Sequence, residues 1–335
     1  MDVPRDAVAD VLAYLTEDFD LELTSAVPID GGVDRTARSF RGYAADAADA
    51  SSRGYAIKWS SGGSVAGLVL PDALAAGAVD GVAAPLRTRG GQLYAEREGR
   101  RLSVAPWVGE RRGIDGGLDA EQWRAFGRLL AATHALKPGT ALMSVLPRAD
   151  HHGDVRETRK TDTLLRAAGR DPRDAIAAEV QRLWFAHADL IAAVTARVEE
   201  SAPSVTPDTV CHTDPHLGNV LASPGRVWLI DWDDAAYSTS EHDLMFVLGG
   251  AYGGEHIGDR ERAWFFEGYG AASIDPIRLA YWRGSRGLVD AAFLAAEAYG
   301  AGAGEIADDE GWRATALRML AEQFGARGML ARSLS

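Results

Sequence analysis

Two short β-rich runs, Thr209-Val210-Cys211 and Val227-Trp228-Leu229-Ile230, interrupt a second half that otherwise carries helical periodicity, and each leads straight into acidic residues. Apolar β segments on either side of a polar loop hold it rigidly while its side chains stay outward, so these carboxylates sit where chemistry can use them. Helical spacing dominates from about Leu118: Trp123, Phe126, Leu129, Leu130 and Thr133 share one face, and Leu183, Trp184, Leu190, Ile191 and Val194 form a second apolar set. The first third reads differently. Val8, Val11, Leu12 and Leu15 predict an amphipathic helix capped by Asp6. Segments 23–29, 37–43, 54–59 and 101–108 then read as strands, separated by Gly31-Gly32, the polar stretch 44–53 and Gly90-Gly91. A small antiparallel sheet over residues 20–108 followed by helices makes an α+β chain, and 335 residues exceed one ordinary core. The expected division is residues 1–104 and 110–335, with Ala105-Pro106-Trp107-Val108-Gly109 as linker.

Charge narrows the partners. A formal net charge of −13 argues against a nucleic-acid partner, which calls for clustered Lys and Arg. The acid is unevenly spread: from Val227 to Asp259 there is no Lys or Arg, yet Asp231, Asp233, Asp234, Glu241, Asp243, Glu255 and Asp259 all fall there. Such crowding calls for a counter-cation, a metal or a cationic ligand, unless the run is a solvated acidic face. The single cysteine, Cys211, forms no intramolecular disulfide, and the amino terminus lacks a basic region followed by an apolar stretch, which points to the cytoplasm. Residues 64–86 are the most apolar, but Pro71, Asp72 and Asp80 interrupt them short of the roughly 18 apolar residues a membrane span needs, so no membrane partner is expected.

The window Val210-Cys211-His212-Thr213-Asp214-Pro215-His216-Leu217-Gly218-Asn219-Val220-Leu221, with Leu229-Ile230-Asp231-Trp232-Asp233 after it, has a definite spacing. It runs His-x-Asp, then Asn five positions after the Asp, then a strand ending in Asp. Phosphoryl transfer needs a group that orients a hydroxyl toward the γ-phosphate and oxygen ligands for Mg²⁺, and these three polar residues are of the right kind. A lone Asp on a loop is more often a turn or cap residue; the joint spacing is what favours catalysis. His212, Asp214 and His216 also admit a transition-metal reading, weakened by the lack of a nearby thiolate or third histidine.

The window resembles that of the aminoglycoside phosphotransferase family, antibiotic kinases with the two-lobed protein-kinase-like fold. Further segments carry the resemblance: Ile29-Asp30-Gly31-Gly32-Val33-Asp34, Tyr55-Ala56-Ile57-Lys58, Asp243-Leu244-Met245-Phe246 and Phe266-Glu267-Gly268-Tyr269-Gly270, with weaker similarity at Tyr281, Arg283 and Asp290. They are similar to those of the spectinomycin-phosphorylating members. The resemblance implies ATP, with GTP admissible, and Mg²⁺ as cofactors. It makes Asp214 the base, Asn219 and Asp231 the metal ligands and His212 a brace of the loop. Lys58 would touch the α- and β-phosphates, Gly31 and Gly32 would offer backbone amides, and Pro106, Trp107 and Val108 would face the adenine. The implied acceptor is a hydroxyl of a small cationic antibiotic, an aminocyclitol or aminoglycoside, with Asp233 and Asp290 as substrate contacts. Monomer and dimer are both compatible with the sequence, and Trp59, Trp228 and Trp282 read as packing residues.

The pattern breaks in one place. Kinase-like folds pair the strand lysine with a glutamate on the next helix, near Val65 or Ala66 here, and none is present. Either Asp72 substitutes from a displaced helix, or Lys58 lacks a fixed acidic partner. The Gly-rich loop is also reduced, with no G-x-G-x-x-G. Two alternatives therefore stand beside the antibiotic kinase: a metabolic kinase of the same fold acting on choline, homoserine or a sugar, and a nucleotide-binding module without activity. No activation segment ending in Ala-Pro-Glu follows Asp231, which speaks against protein substrates.

Overall fold

The computed structural model describes residues 5–29, 36–44, 54–109, 111–169, 172–249, 257–301 and 309–335. The chain packs as two compact units: Met1–Pro147 with Leu217–Ala236 and Trp264–Gly270, and Arg148–His216 with Tyr237–Ala263 and Ala271–Ser335.

The first unit opens with α1 (Arg5–Phe19), and the side chain of Asp6, the expected cap, lies outside what is described. A five-stranded antiparallel sheet follows: β1 (Leu23–Pro28), β2 (Ala37–Ala44), β3 (Gly54–Ser60), β4 (Ala95–Arg97) and β5 (Arg100–Pro106), in the order β1-β2-β3-β5-β4. The four expected strands are present, and β4 adds a three-residue edge too short to show a period. Val11, Leu15 and Phe19 of α1 pack on Phe40, Ile57, Trp59, Leu102 and Val104 of the sheet. That burial fixes the face each strand turns inward. Lys58 pairs with Ser39 on one side and Ser103 on the other, so it stands on a central strand between buried Ile57 and Trp59, facing away from α1.

The apolar segment after β3 forms α2 (Ala66–Ala76), which buries Leu70, Pro71 and Leu74. Helix α3 (Ala120–Ala135) starts with a reciprocal cap between Asp119 and Gln122, and the short α4 (Thr140–Met143) follows. The hairpin β7 (Val220–Ser223) and β8 (Arg226–Leu229) completes this unit, tied to the sheet-side chain by the Leu229 N–H donating to the Gly81 carbonyl at 2.9 Å.

The second unit is helical: α5 (His152–Ala167), α6 (Ala175–Ala186), α7 (Ala188–Ser201), α8 (Ser240–Val247), α10 (Pro276–Tyr299), α11 (Glu310–Phe324) and α12 (Met329–Arg332). The short strands β6 (Thr209–Cys211) and β9 (Ala236–Ser238) pair with each other, and α9 (Asp259–Tyr269) crosses between the units in sequence. Helix α10 is the axis: Asp275 caps it, Pro276 starts it, and its Tyr281, Trp282, Leu288, Ala291, Leu294 and Ala295 are buried. No helix among the described residues is long and apolar enough to cross a membrane.

Candidate active site

The two β-rich runs seen in the sequence end in different units, and each positions its acid by a local device. In the first unit the Ile230 N–H donates to the Asn219 carbonyl at 3.0 Å, extending the β7–β8 hairpin by one pair and bringing Asp231 out beside Asn219. Asp231 then takes φ +62°, a left-handed conformation uncommon for a residue with a Cβ. Strain of this kind persists only where the surroundings impose it, and it clusters at functional sites. The Asp231 side chain remains 51% exposed.

Lys58 reaches the same place. Its ammonium donates to Asp233 Oδ2 at 2.7 Å and to Asp231 Oδ1 at 3.2 Å. Burial lowers the Lys58 pKa, but the two carboxylates outweigh it and leave the group above the ordinary lysine value, firmly charged. This overturns both expectations for the missing glutamate. Asp72 is engaged elsewhere, by Arg87 at 2.7 Å, and Lys58 has acidic partners that come from the loop after β8. The sequence made room for the exchange. A Cβ on Gly63 would come within 2.5 Å of the Asp233 carboxylate, and one on Gly67 within 2.9 Å of the Asp233 Cα. The Ser64 N–H meanwhile donates to the Asp233 carbonyl at 3.2 Å. Where a glutamate would project from α2, the helix start is instead glycine-lined and filled by Asp233.

The second unit carries Asp214. The backbone N–H groups of His212 and Thr213 both donate to the Asp243 carboxylate, at 2.9 and 2.6 Å, and Asp243 is fully buried at the start of α8. Thr213 has φ +71°, so the loop bends just before Asp214. The buried His212 turns its Nδ1 to accept the Asp214 N–H at 3.2 Å. An imidazole fixed in that way is not poised as a metal ligand with Asp214 and His216. The Asp214 carboxylate has Arg286 Nη1 at 2.8 Å from Oδ1 and His216 Nε2 at 3.6 Å from Oδ2. Arg286 also donates its Nε to Asp290 Oδ1 at 2.8 Å. Burial raises the Asp290 pKa and Arg286 opposes that rise.

The acidic run therefore does not share one counter-cation. Lys58 serves Asp231 and Asp233, backbone N–H groups serve Asp243, the Asp275 N–H serves Glu241 at 3.0 Å, and Arg262 serves Asp259. Asp233 and Asp290, expected as substrate contacts, are both paired with cations of the protein itself. Glu255, Gly31 and Gly32 lie outside the described residues. Pro106 ends β5 opposite Tyr55, and the Trp107 N–H donates to the Gly54 carbonyl at 2.8 Å. The Trp107 ring is covered by Arg41 at 4.6 Å, and Val108 is half-buried. The Trp59 indole donates to the Arg97 carbonyl at 3.1 Å, and Trp282 stacks on His242 at 3.8 Å, so both are packing residues.

Two residues that hold this arrangement, Asp243 and Arg286, carry no role in the sequence alone, and Asp233, expected as a substrate contact, is instead the partner of Lys58. The i,i+4 spacing of Arg286 and Asp290 was a readable signal, as was an acid opening the apolar Leu244-Met245-Phe246 run.

The sequence profile of the phosphotransferase enzyme family, APH, matches residues 71–287. The chain belongs to this family. The match takes in Asp214, Asn219, Asp231 and Asp233. The APH chain is also similar in fold to solved structures. A spectinomycin phosphotransferase, APH(9)-Ia, in complex with ADP and spectinomycin is 20% identical, with a TM-score of 0.83 over 100% of this chain and 99% of the other. Its AMP-bound complex gives 0.78 at 20% identity over 98% of each chain. The amicoumacin kinase hAmiN, in complex with AMP-PNP, Ca²⁺ and Ami, gives 0.59 at 12% identity over 92% and 93%. The fold is thus the expected kinase-like α+β architecture, an antiparallel sheet followed by helices, and the resemblance read from the motifs holds. No curated protein sequence matches the chain.

Proposed function

We propose that this phosphotransferase moves the γ-phosphoryl group of ATP to a hydroxyl of a small cationic antibiotic of the aminocyclitol or aminoglycoside type. The observation that carries the reading is the gathering of Lys58, Asp231 and Asp233 beside Asn219, with Asp231 held in a left-handed conformation. Lys58, fixed by Asp233, binds the α- and β-phosphates as a point charge. Asn219 and Asp231 offer an amide oxygen and a half-exposed carboxylate, the hard oxygen donors that Mg²⁺ takes. When bound, the ion neutralises the charge of the phosphates. Asp214, on a loop bonded to buried Asp243 and braced by His212, orients the acceptor hydroxyl. As the hydroxyl oxygen attacks the γ-phosphorus its proton passes to the Asp214 carboxylate, the bond to the bridging oxygen breaks, and ADP leaves. Pro106, Trp107 and Val108 join residues 1–104 to residues 110–335 and face the adenine. The complexes of APH(9)-Ia and hAmiN with adenine nucleotides and with their antibiotics support this reading.

One observation favours a second reading of the acceptor. Because Asp233 and Asp290 are neutralised internally, an ammonium-bearing substrate loses two of its expected contacts, which among choline, homoserine and sugars as substrates of a metabolic kinase favours the sugar, the one without a cationic nitrogen. The inactive-module alternative loses its motive, since Asp233 supplies the acid that the helix lacks. The test is ADP release with ATP and Mg²⁺ across a panel of cationic antibiotics, choline, homoserine and sugars, with mass spectrometry of each acceptor. Phosphorylation of an antibiotic is the expected result. Phosphorylation of a metabolite alone selects the second reading, and nucleotide binding without transfer to any acceptor rejects both.

A further inference from the structure

We propose that Arg286 is a positioning residue for phosphoryl transfer, holding the Asp214 carboxylate in the orientation in which it receives the acceptor's proton. The inference rests on the role of Asp214 given above and adds a residue which that role did not include. Arg286 lies in α10, and its guanidinium spans two carboxylates, with Nη1 at 2.8 Å from Asp214 Oδ1 and Nε at 2.8 Å from Asp290 Oδ1. A planar fork does this and a lysine does not, because a single ammonium on a flexible stem has no second edge fixed relative to the first.

The guanidinium is itself held. Asp290 sits one helical turn further along α10, and its other oxygen accepts from Gln323 Nε2 at 3.4 Å. The Phe246 ring lies 5.3 Å from the guanidinium carbon. The side chains of Arg286, Asp214 and Asp290 are only 19%, 19% and 11% exposed. A surface ion pair of that kind contributes little, but one this enclosed is ordered, and its loss leaves a buried charge uncompensated. Asp290 thus has a reason to be buried that involves no ligand: it anchors the arginine. Arg286 stands against the Oδ1 edge of Asp214 as an ion pair whose angle falls outside hydrogen-bond geometry, while the Oδ2 edge is the one His216 approaches. An enclosed positive charge 2.8 Å from one oxygen favours a single orientation of the carboxylate, and a base misplaced by about 1 Å loses roughly 10²-fold in rate.

Purified full-length variants R286A, R286K and D290N test this, with melting curves showing that each is folded. For R286A the expected result is kcat reduced about 10²-fold with the nucleotide Kd within about twofold of wild type, and partial recovery by millimolar guanidinium but not by urea. R286K should fall between wild type and R286A. D290N should reduce kcat in the same direction, and the R286A/D290N double variant should be no worse than R286A, since both act through one contact. Unchanged kcat in folded R286A overturns the proposal, as do additive losses. A second arm needs no turnover. In protein labelled with carboxyl-¹³C aspartate, the Asp214 signal, assigned by its loss in D214N, should move in both R286A and D290N. A signal that stays put overturns the proposal whatever the activity, whereas failure of the wild-type chain to phosphorylate any acceptor counts against the functional reading alone.

Discussion

Replacing Asp233 by Asn removes one of two carboxylates from Lys58 while keeping the shape of the side chain that fills the space beside Gly63 and Gly67. In the nucleotide-free protein Asp231 still holds the ammonium, so folding should change little. If Asp231 serves as a metal ligand, as proposed, it would leave the ammonium when a metal–nucleotide binds, and Asp233 would be the remaining anchor. Its charge-assisted bond to Lys58 is 2.7 Å long and the two side chains are 25% and 27% exposed, so the ordinary value of about 1.5–3 kcal/mol has to be discounted for solvent screening. A loss of roughly 1–2 kcal/mol remains, comparable to the cost of reordering a lysine side chain that is no longer fixed. That corresponds to a nucleotide Kd about 5–30 times weaker. Calorimetric titration of wild type and D233N with AMP-PNP and Mg²⁺ measures it directly. Equal dissociation constants in the two proteins would refute the claim that Asp233 stands in for the helix glutamate.

Other substitutions probe the supports. G67A leaves every charge in place but sets a methyl 2.9 Å from the Asp233 Cα, so it should weaken nucleotide binding in the same direction as D233N; unaltered affinity would mean the glycine is incidental. D243A strands two buried backbone N–H groups and should lower unfolding stability by about 2–4 kcal/mol in urea titrations, alongside loss of turnover. Burial lowers the His242 pKa from 6.5 to about 4, so the unfolded chain takes up a proton that the folded chain refuses. The stability this group contributes is complete above pH 6.5 and disappears as pH falls toward 4. Between pH 7.5 and 4.5, H242Q should therefore lose roughly 2–3 kcal/mol less stability than wild type, and identical pH slopes would contradict it.

What the sequence disclosed and what it hid follow from range. Alternation and helical spacing are local, so the sheet over residues 23–106 and the helix face of Trp123, Phe126, Leu129 and Leu130 were legible. The fixed spacing around Asp214 was legible for the same reason. Strands β4 and β9, three residues each, are too short to show a period; β4 forms against the longer β5, and β9 against the equally short β6. The partner of Lys58 lies 175 residues away, and no spacing rule connects a strand lysine to a loop acid at that distance. Its only local trace was negative: glycine at 63 and 67 where a helix carries no side chain to spare for the lysine. The acidic run misled because composition counts charges but not their partners; once folded, backbone N–H groups and single cations serve its members one by one.

In the proposed reaction Asp214 takes the proton of an acceptor hydroxyl as phosphate leaves ATP. Its sharpest test is the turnover of D214A with the acceptor that wild type phosphorylates best, measured as labelled phosphate appearing on that acceptor. A fall of roughly 10²-fold or more is expected, with nucleotide affinity retained, since Lys58, Asn219 and Asp231 are untouched. Turnover within a few-fold of wild type would contradict it.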